Sequence, residues 1–431
     1  MEKKQPLTKI QYGIYIECMN HQGELCYNLP YLYIFDRKLE TAKLANAIKI
    51  AIMAHPTFFT KIELGEDSEP IQVIEEERNF DLDIITITDD VSTSSDFGWF
   101  KEQIRPFNII GQRLFHVALY KDAQHHYLLW DCHHLVNDGT SMQILLHDIE
   151  AVYKGGTIQT EEPMLATIAS EEVAKRQSKE FEEAKQWYQE QFDCSDVVTQ
   201  LLPDLEDANV TEGYTERTLQ VSLREIEDFC KSNGIFKSAL FTTVYAYLLA
   251  VYNNEQQSLT RTVYNGRADK RLAKSTGMYV HTLPVYCQFD DKTEILGLLR
   301  KQQEQMNDCQ KHEIYSYMDV INDLHLESNN TFVWHGMLFS DNEFAEYPIH
   351  IKPLINDKEG DKLYFKAYIL DNRLHIRAEY NANEYSEGLI SQFLDSYETV
   401  LSGFITKHLL KEIALVNPAQ LQLLNSYNNN N

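Results

Sequence analysis

The chain has 431 residues, and 39 Lys and Arg against 65 Asp and Glu leave a formal charge of −26. With 43% hydrophobic and 24% charged residues the composition is globular, which excludes a disordered or collagen-like chain. The excess negative charge argues against nucleic acid and membrane surface as partners, and its plain consequence is solubility. The length predicts two to three domains, or one fold with two lobes.

Met1-Glu2-Lys3-Lys4-Gln5-Pro6 has no apolar core and no cleavage site of a signal peptide. The most apolar stretch, Ser238 to Tyr252, is interrupted by Thr242 and Thr243 and is too short to span a bilayer. The seven cysteines (Cys18, Cys26, Cys132, Cys194, Cys230, Cys287, Cys309) form no CxxC pair, which fits small buried hydrophobes in a reducing cytoplasm.

Along the chain, Leu39 to Ala54 has helical spacing. Leu114 to Lys121 and His126 to His133 read as strands, and Asn137-Asp138-Gly139 is a turn signal. Met142 to Tyr153 reads as a helix opened by Thr140 and Ser141. The charge-rich Glu171 to Gln191 reads as one long exposed helix joining two halves. Beyond it, Val221 to Asn233 and Ser238 to Tyr252 predict helices separated by Gly234. Ser258 to Tyr264 and Val280 to Gln288 predict strands, and Ile295 to Cys309 a helix. Thr331 to Phe339 and Lys362 to Leu370 predict strands, the latter paired with Arg373 to Tyr380 across Asp371-Asn372. Gly388 to Gly403 closes the series as a helix, and Asn428 to Asn431 is a low-complexity end.

The informative segment is Asp131-Cys132-His133-His134-Leu135-Val136-Asn137-Asp138-Gly139. On a strand, His134 and Cys132 share one face while His133 and Asp131 share the other, so only one imidazole points into a given cleft. His134 stands at the strand end, and a neutral-range imidazole there suits proton handling. The four histidines His125, His126, His133 and His134 have no familiar metal spacing, so no metal site is expected.

The string HHxxxDG between a strand and a capped helix resembles the active-site motif of nonribosomal peptide synthetase condensation domains, part of the chloramphenicol-acetyltransferase-like acyltransferase superfamily. Other segments match in order. Leu7 to Gly13 resembles the opening SxAQ-type segment, and His55-Pro56-Thr57-Phe58-Phe59 sits where the family has an RHExLR-like segment. Arg105 to Asn108 with Leu114-Phe115 resembles "PFDL…PLF", and Gly266-Arg267 with Gly277 to Pro284 resembles "GR…GxFVNTLP". His312 to Ser316 matches a further segment weakly, and Asn417 to Asn425 resembles the linker that enters an adenylation domain. Three departures stand out. Thr140 replaces the family's Trp, Phe58-Phe59 replace an Arg that commonly pairs with the motif Asp, and His281 replaces an Asn. Asp96-Phe97-Gly98-Trp99 mimics a plant acyltransferase motif, but it precedes HHxxxDG and is read as coincidence.

The resemblance implies an α/β (α+β) fold of two chloramphenicol-acetyltransferase-like lobes in a V-shaped pseudo-dimer with a central tunnel. The expected layout is an N-terminal lobe 1–170, a linking helix 171–195, a C-terminal lobe 196–415 and the start of a linker at 416–431. It implies attack of an acceptor amine on a donor thioester, with His134 as base or positioner. His133, Asp138 and Gly139 are implied as supporting residues, Asp138 fixing the loop and Gly139 permitting its close turn. His281 and Arg267 are candidates to line the tunnel, and Arg267 is also a candidate partner of Asp138. No resident cofactor is implied. Phosphopantetheine arms arrive on peptidyl or acyl carrier proteins, and an adenylation domain is the expected downstream partner. The few residues before Leu7 leave no room for an upstream carrier, which suggests a starter domain fed in trans by acyl-CoA or acyl-carrier protein. An elongation domain, a free-standing acyltransferase and a non-catalytic recruitment module are the alternatives. Epimerisation domains share the motif but precede a condensation domain rather than an adenylation-type linker.

Overall fold

The computed structural model describes residues 4–25, 27–88, 97–192, 197–206, 211–326, 328–337, 343–355 and 362–416. Cys26, Cys194, Asp96, the linker-like Asn417 to Asn425 and the terminal Asn428 to Asn431 lie outside the described residues.

In chain order the first elements are β1 (Lys4–Pro6), α1 (Lys9–Asn20), β2 (Asn28–Asp36), α2 (Thr41–Ala54), β3 (Thr60–Leu64), β4 (Pro70–Ile74), β5 (Asp83–Thr86), α3 (Gly98–Lys101), β6 (Phe115–Lys121), β7 (His125–His133), α4 (Gly139–Tyr153) and α5 (Met164–Lys175). Then follow α6 (Lys179–Gln191), β8 (Glu212–Thr218), α7 (Leu223–Asn233), α8 (Lys237–Tyr252), β9 (Gln257–Tyr264), β10 (His281–Gln288), α9 (Ile295–Lys311), α10 (Tyr317–Leu324), β11 (Asn330–Met337), β12 (Glu343–Phe344), β13 (Tyr347–Pro353), β14 (Leu363–Leu370), β15 (Arg373–Asn381) and α11 (Glu387–Thr406).

The chain divides into two compact units that are not contiguous in sequence. The first holds Met1–Phe181, Asn265–His281 and Phe339–Glu359; the second holds Glu182–Tyr264, Thr282–Leu338 and Gly360–Asn431. The contiguous lobes expected at 1–170 and 196–415 are thus replaced by interleaved units, because two segments of the second half supply parts of the first. The single helix expected over Glu171 to Gln191 is two helices, α5 and α6. Ser178 separates them: its N–H donates to Lys175 O at 2.9 Å, and its hydroxyl accepts from the Phe181 N–H at 3.3 Å, opening the next helix.

The first unit is built on a six-stranded sheet in the order β12-β13-β2-β7-β6-β5, beside a three-stranded sheet β1-β4-β3. β7 is buried on both faces. Leu128, Trp130 and Cys132 enter a core with Ile48 and Ile52 of α2 and Leu145 and Ile149 of α4. Tyr127 and Leu129 join Leu32 and Ile34 of β2 on the opposite face. Two-sided burial makes the end of β7 a rigid place to carry a functional side chain.

The second unit is a six-stranded sheet in the order β10-β9-β11-β14-β15-β8. Its core is α8, in which every residue from Ala239 to Ala250 is buried. The β14–β15 hairpin turns through Asp371 and Asn372, both at positive φ (49° and 57°), the geometry that matches strand twist. In the weakly matching segment, His312 stacks on Trp187 at 4.8 Å and Ser316 caps α10. Among the described residues no single helix is long and apolar enough to cross a membrane. Cys18, Cys132, Cys230, Cys287 and Cys309 are buried, and burial pushes the Cys230 thiol up to about 11.

Candidate active site

β7 ends at His133, and the chain turns through His134, Leu135 and Val136 before α4 begins at Gly139. His134 therefore sits on the turn itself, half-buried. Its backbone N–H donates to Tyr27 O at 2.9 Å, and its ring meets the Tyr27 ring edge-on at 6.2 Å. His133 is buried. Its Nδ1 accepts the Leu135 N–H at 3.1 Å, so the proton of the neutral ring lies on Nε2. That Nε2 stands 3.5 Å from Cys18 Sγ. His133 thus shapes the turn while His134 keeps partial exposure.

Asp138 is fully buried and is the N-cap of α4: its Oδ1 accepts the Ser141 N–H at 2.8 Å. The cap expected at Thr140 and Ser141 is therefore two positions earlier. The same carboxylate accepts both arms of Arg267, Nη1 on Oδ2 at 2.8 Å and Nη2 on Oδ1 at 2.9 Å. The Tyr279 N–H adds a bond to Oδ2 at 3.1 Å. The Ser141 hydroxyl accepts from the Gly277 N–H at 2.9 Å and from Arg267 Nη2 at 3.1 Å, and its oxygen lies 2.8 Å from Asp138 Oδ1. The Arg267 guanidinium also covers the Tyr279 ring at 4.7 Å. The pair is planar, bidentate, buried and surrounded by donors, the geometry of a strong charge-assisted contact. It ties the segment 265–281 to the motif loop, all within the first unit.

Gly266, beside Arg267, has φ +62°, and a Cβ there would lie 1.7 Å from Tyr279 O and 2.8 Å from His281 Cδ2. Only glycine fits this crossing of two backbones. His281 is half-buried, and desolvation pushes its imidazole down to about 4, so the ring is neutral. Gly139 departs from expectation: it is the exposed first residue of α4, and a Cβ there would meet no atom within 4 Å. No close turn demands glycine at that point; the space beside it is open.

Two further clusters escaped the sequence reading. His55, in the segment that lacks the family's Arg, is buried between two carboxylates, Nε2 at 3.0 Å from Asp148 Oδ2 and Nδ1 at 2.7 Å from Glu161 Oε2. Burial alone lowers its pKa, but the hydrogen bonds and charges of Asp148 and Glu161 outweigh that and raise it. Glu161 also accepts the Thr276 N–H at 2.9 Å and the Thr276 hydroxyl at 2.9 Å, a second tie on segment 265–281. On the His133 face of β7, the buried Asp131 carboxylate takes the Asn28 amide at 3.0 and 3.3 Å, and desolvation raises its pKa to about 7. Glu161 and Asn28 carry no motif that the sequence could flag. His125 and His126 lie at the opposite end of β7, where His126 hydrogen-bonds Thr41 at 2.8 Å.

Residues 1–424 match the condensation-domain family. Bacitracin synthase 1 of Bacillus licheniformis is 22% identical over 327 residues, 74% of this chain but 6% of that synthase. Among solved structures, the first condensation domain of the calcium-dependent antibiotic synthetase, in complex with a substrate analogue, superposes with a TM-score of 0.78 at 15% identity, over 96% of this chain and 99% of that one. A starter condensation domain of rhizomide synthetase gives 0.78 at 16% identity, over 96% and 100%. The chain spans only a small fraction of the curated synthase it matches. It belongs to the condensation-domain family, the amide-forming acyltransferases of nonribosomal peptide synthetases.

Proposed function

We propose that this chain joins a donor acyl thioester to the amine of an aminoacyl group held on a phosphopantetheinyl carrier protein, with His134 at the reacting centre. The observation that carries this is the half-exposed His134 on a turn held from behind by the Asp138–Arg267 latch. The amine nitrogen forms a bond to the acyl carbon, and the carbon–sulfur bond breaks. The amine proton passes through the imidazole toward the leaving thiolate. An α-amino group with a pKa near 7.7–8.0 is substantially neutral at neutral pH, so proton transfer at the intermediate and positioning are the larger demands. Asp138 accepts five hydrogen bonds and has a structural task. His133, turned toward Cys18, supports the turn.

Within this reading we assign the starter form, N-acylation of an aminoacyl carrier by a donor arriving in trans. The presence of a starter domain among the solved neighbours supports testing that arm first. The assay offers acyl-CoA or acyl-carrier-protein donors with an aminoacyl carrier and detects the N-acyl aminoacyl thioester by mass spectrometry. His134→Ala is expected to lower single-turnover amide formation by at least about 100-fold, the scale of a lost acid–base group, with an unchanged Tm. Near wild-type turnover by that folded variant would remove His134 from the reacting centre. Reaction only with peptidyl carrier donors would make this an elongation domain.

A further inference from the structure

Tyr27 stands at the turn immediately before β2, and its backbone is left-handed, with φ 60°. The Asn28 N–H closes the turn by donating to Leu25 O at 3.1 Å. A positive φ at the third position of such a turn is ordinarily taken by Gly or Asn, because a Cβ crowds the neighbouring carbonyl there. A bulky tyrosine in that conformation is strained, and such strain persists only where the surroundings hold it. Asn28 supplies one anchor. It is buried, and its amide nitrogen donates to Asp131 Oδ2 at 3.0 Å and to Arg105 O at 3.1 Å. Asn28 is in register with His133, so Tyr27 falls opposite His134, one step beyond both strands. There its carbonyl accepts the His134 N–H at 2.9 Å. Its ring meets the His134 ring edge-on at 6.2 Å and 72°, and the His133 ring at 6.4 Å and 51°, separations at which aromatic rings attract. Glycine would fit this backbone without strain. What the tyrosine adds is a ring against two imidazoles.

We propose that Tyr27 is a positioning residue for His134. Its ring fixes the rotamer of the His134 imidazole, and Asn28, anchored on Asp131, holds the strained turn that places the ring there. The effect on turnover rests on the reading above that His134 is at the reacting centre; the hold on the imidazole does not.

The test pairs a readout of the imidazole with a readout of the reaction. The full chain labelled with isotopic histidine gives an NMR signal from the His134 Cε1–H, assigned by its loss in His134→Ala. One sharp signal is expected in the wild type. Tyr27→Asn suits the positive φ and removes the ring, so the Tm should stay within about 3 °C of the wild type. The His134 signal should broaden or split as the imidazole samples further rotamers. With acyl donors and an aminoacyl carrier, single-turnover amide formation should fall roughly 10- to 100-fold, the scale of a misplaced group, with the apparent carrier affinity within about twofold. Tyr27→Phe keeps the ring and should rescue both the signal and the rate. In a His134→Ala background Tyr27→Asn should add no further loss, because residues acting as one unit are not additive. If Tyr27→Asn does not fold, Tyr27→Gly replaces it, and failure of both to fold makes the residue structural and overturns the proposal. A single sharp His134 signal in the folded variant overturns the hold on the imidazole. An equal loss in Tyr27→Phe, or a further loss in the His134→Ala background, overturns the ring's action through His134. If His134→Ala turns over at nearly the wild-type rate, the reacting-centre reading fails, while the His134 signal still decides what Tyr27 holds.

Discussion

At the scale of single residues, the motif was legible because its chemistry is local. His133 ends β7, His134 opens the turn beyond it, and Asp138 follows at a helix start. What the sequence could not fix alone was the partner of Asp138, since Arg267 lies 129 positions away; the family's usual Arg is missing, and Arg267 was one candidate. The buried, bidentate geometry leads to a stability prediction. Asp138→Asn should cost about 3–5 kcal/mol, because Arg267 would keep a buried charge without its counter-charge. Urea unfolding of Asp138→Asn, Arg267→Ala and the double variant would show it: the double should lose little beyond the worse single, as two groups acting as one unit do. Additive losses would mean that the pair is not coupled. Gly139 teaches the opposite lesson. A motif glycine suggests a strained turn, yet here its neighbourhood is open, so the conformational reading had no basis in this backbone.

At the scale of elements, regular segments with a clear period were read correctly, including α2, α8, β9 and the β14–β15 hairpin. β2 and β13 were not, and each has a physical reason. β2 (NLPYLYIFD) is largely buried on both faces, which erases alternation, and Pro30 interrupts it. β13 contains Pro348 and ends in Pro353, residues that ordinarily argue against a paired strand. In the sequence, the segment 265–281 stands out only through the family resemblance at Gly266-Arg267 and from Gly277 onward. The structure makes it a strap pinned at one point by Asp138 and at another by Glu161, which His55 holds. Because the folded pKa of His55 is raised, its contribution is complete below the unfolded value of about 6.5 and is lost as pH rises through the raised folded value. Asp148, Glu161 and the neighbouring His147 are the titratable groups around it. A Tm series from mildly acidic to alkaline pH should fall across that window in the wild type. It should flatten in Glu161→Gln, which keeps the size of the side chain and removes one charge. An unchanged slope in that variant would exclude the clamp as the origin of the pH dependence.

At the scale of the whole molecule, the two halves of similar size seen in the sequence correspond to two units with six-stranded sheets, but the chain shares its parts between them. Hydrophobic period and turn chemistry report on neighbours in sequence, so they could not reveal that β13 pairs with β2, or that Arg267 reaches Asp138. This exchange of segments has a consequence for folding. Residues 1–181 contain the motif, α2, α4 and most of the first core, and a linear division of the chain would treat them as nearly a full domain. Alone they lack β13, which leaves β2 an unpaired edge with an apolar run along it, a template for aggregation. They also lack Arg267, which leaves the Asp138 carboxylate without its cation, and they lack the strap that donates to Glu161. A piece of residues 1–181 is therefore expected to give aggregates or a species without a cooperative transition, whereas the full chain gives a cooperative one. Size-exclusion chromatography and thermal unfolding followed by circular dichroism compare the two. A monomeric 1–181 with a sharp transition would mean that the borrowed segments decorate a self-sufficient unit instead of completing it.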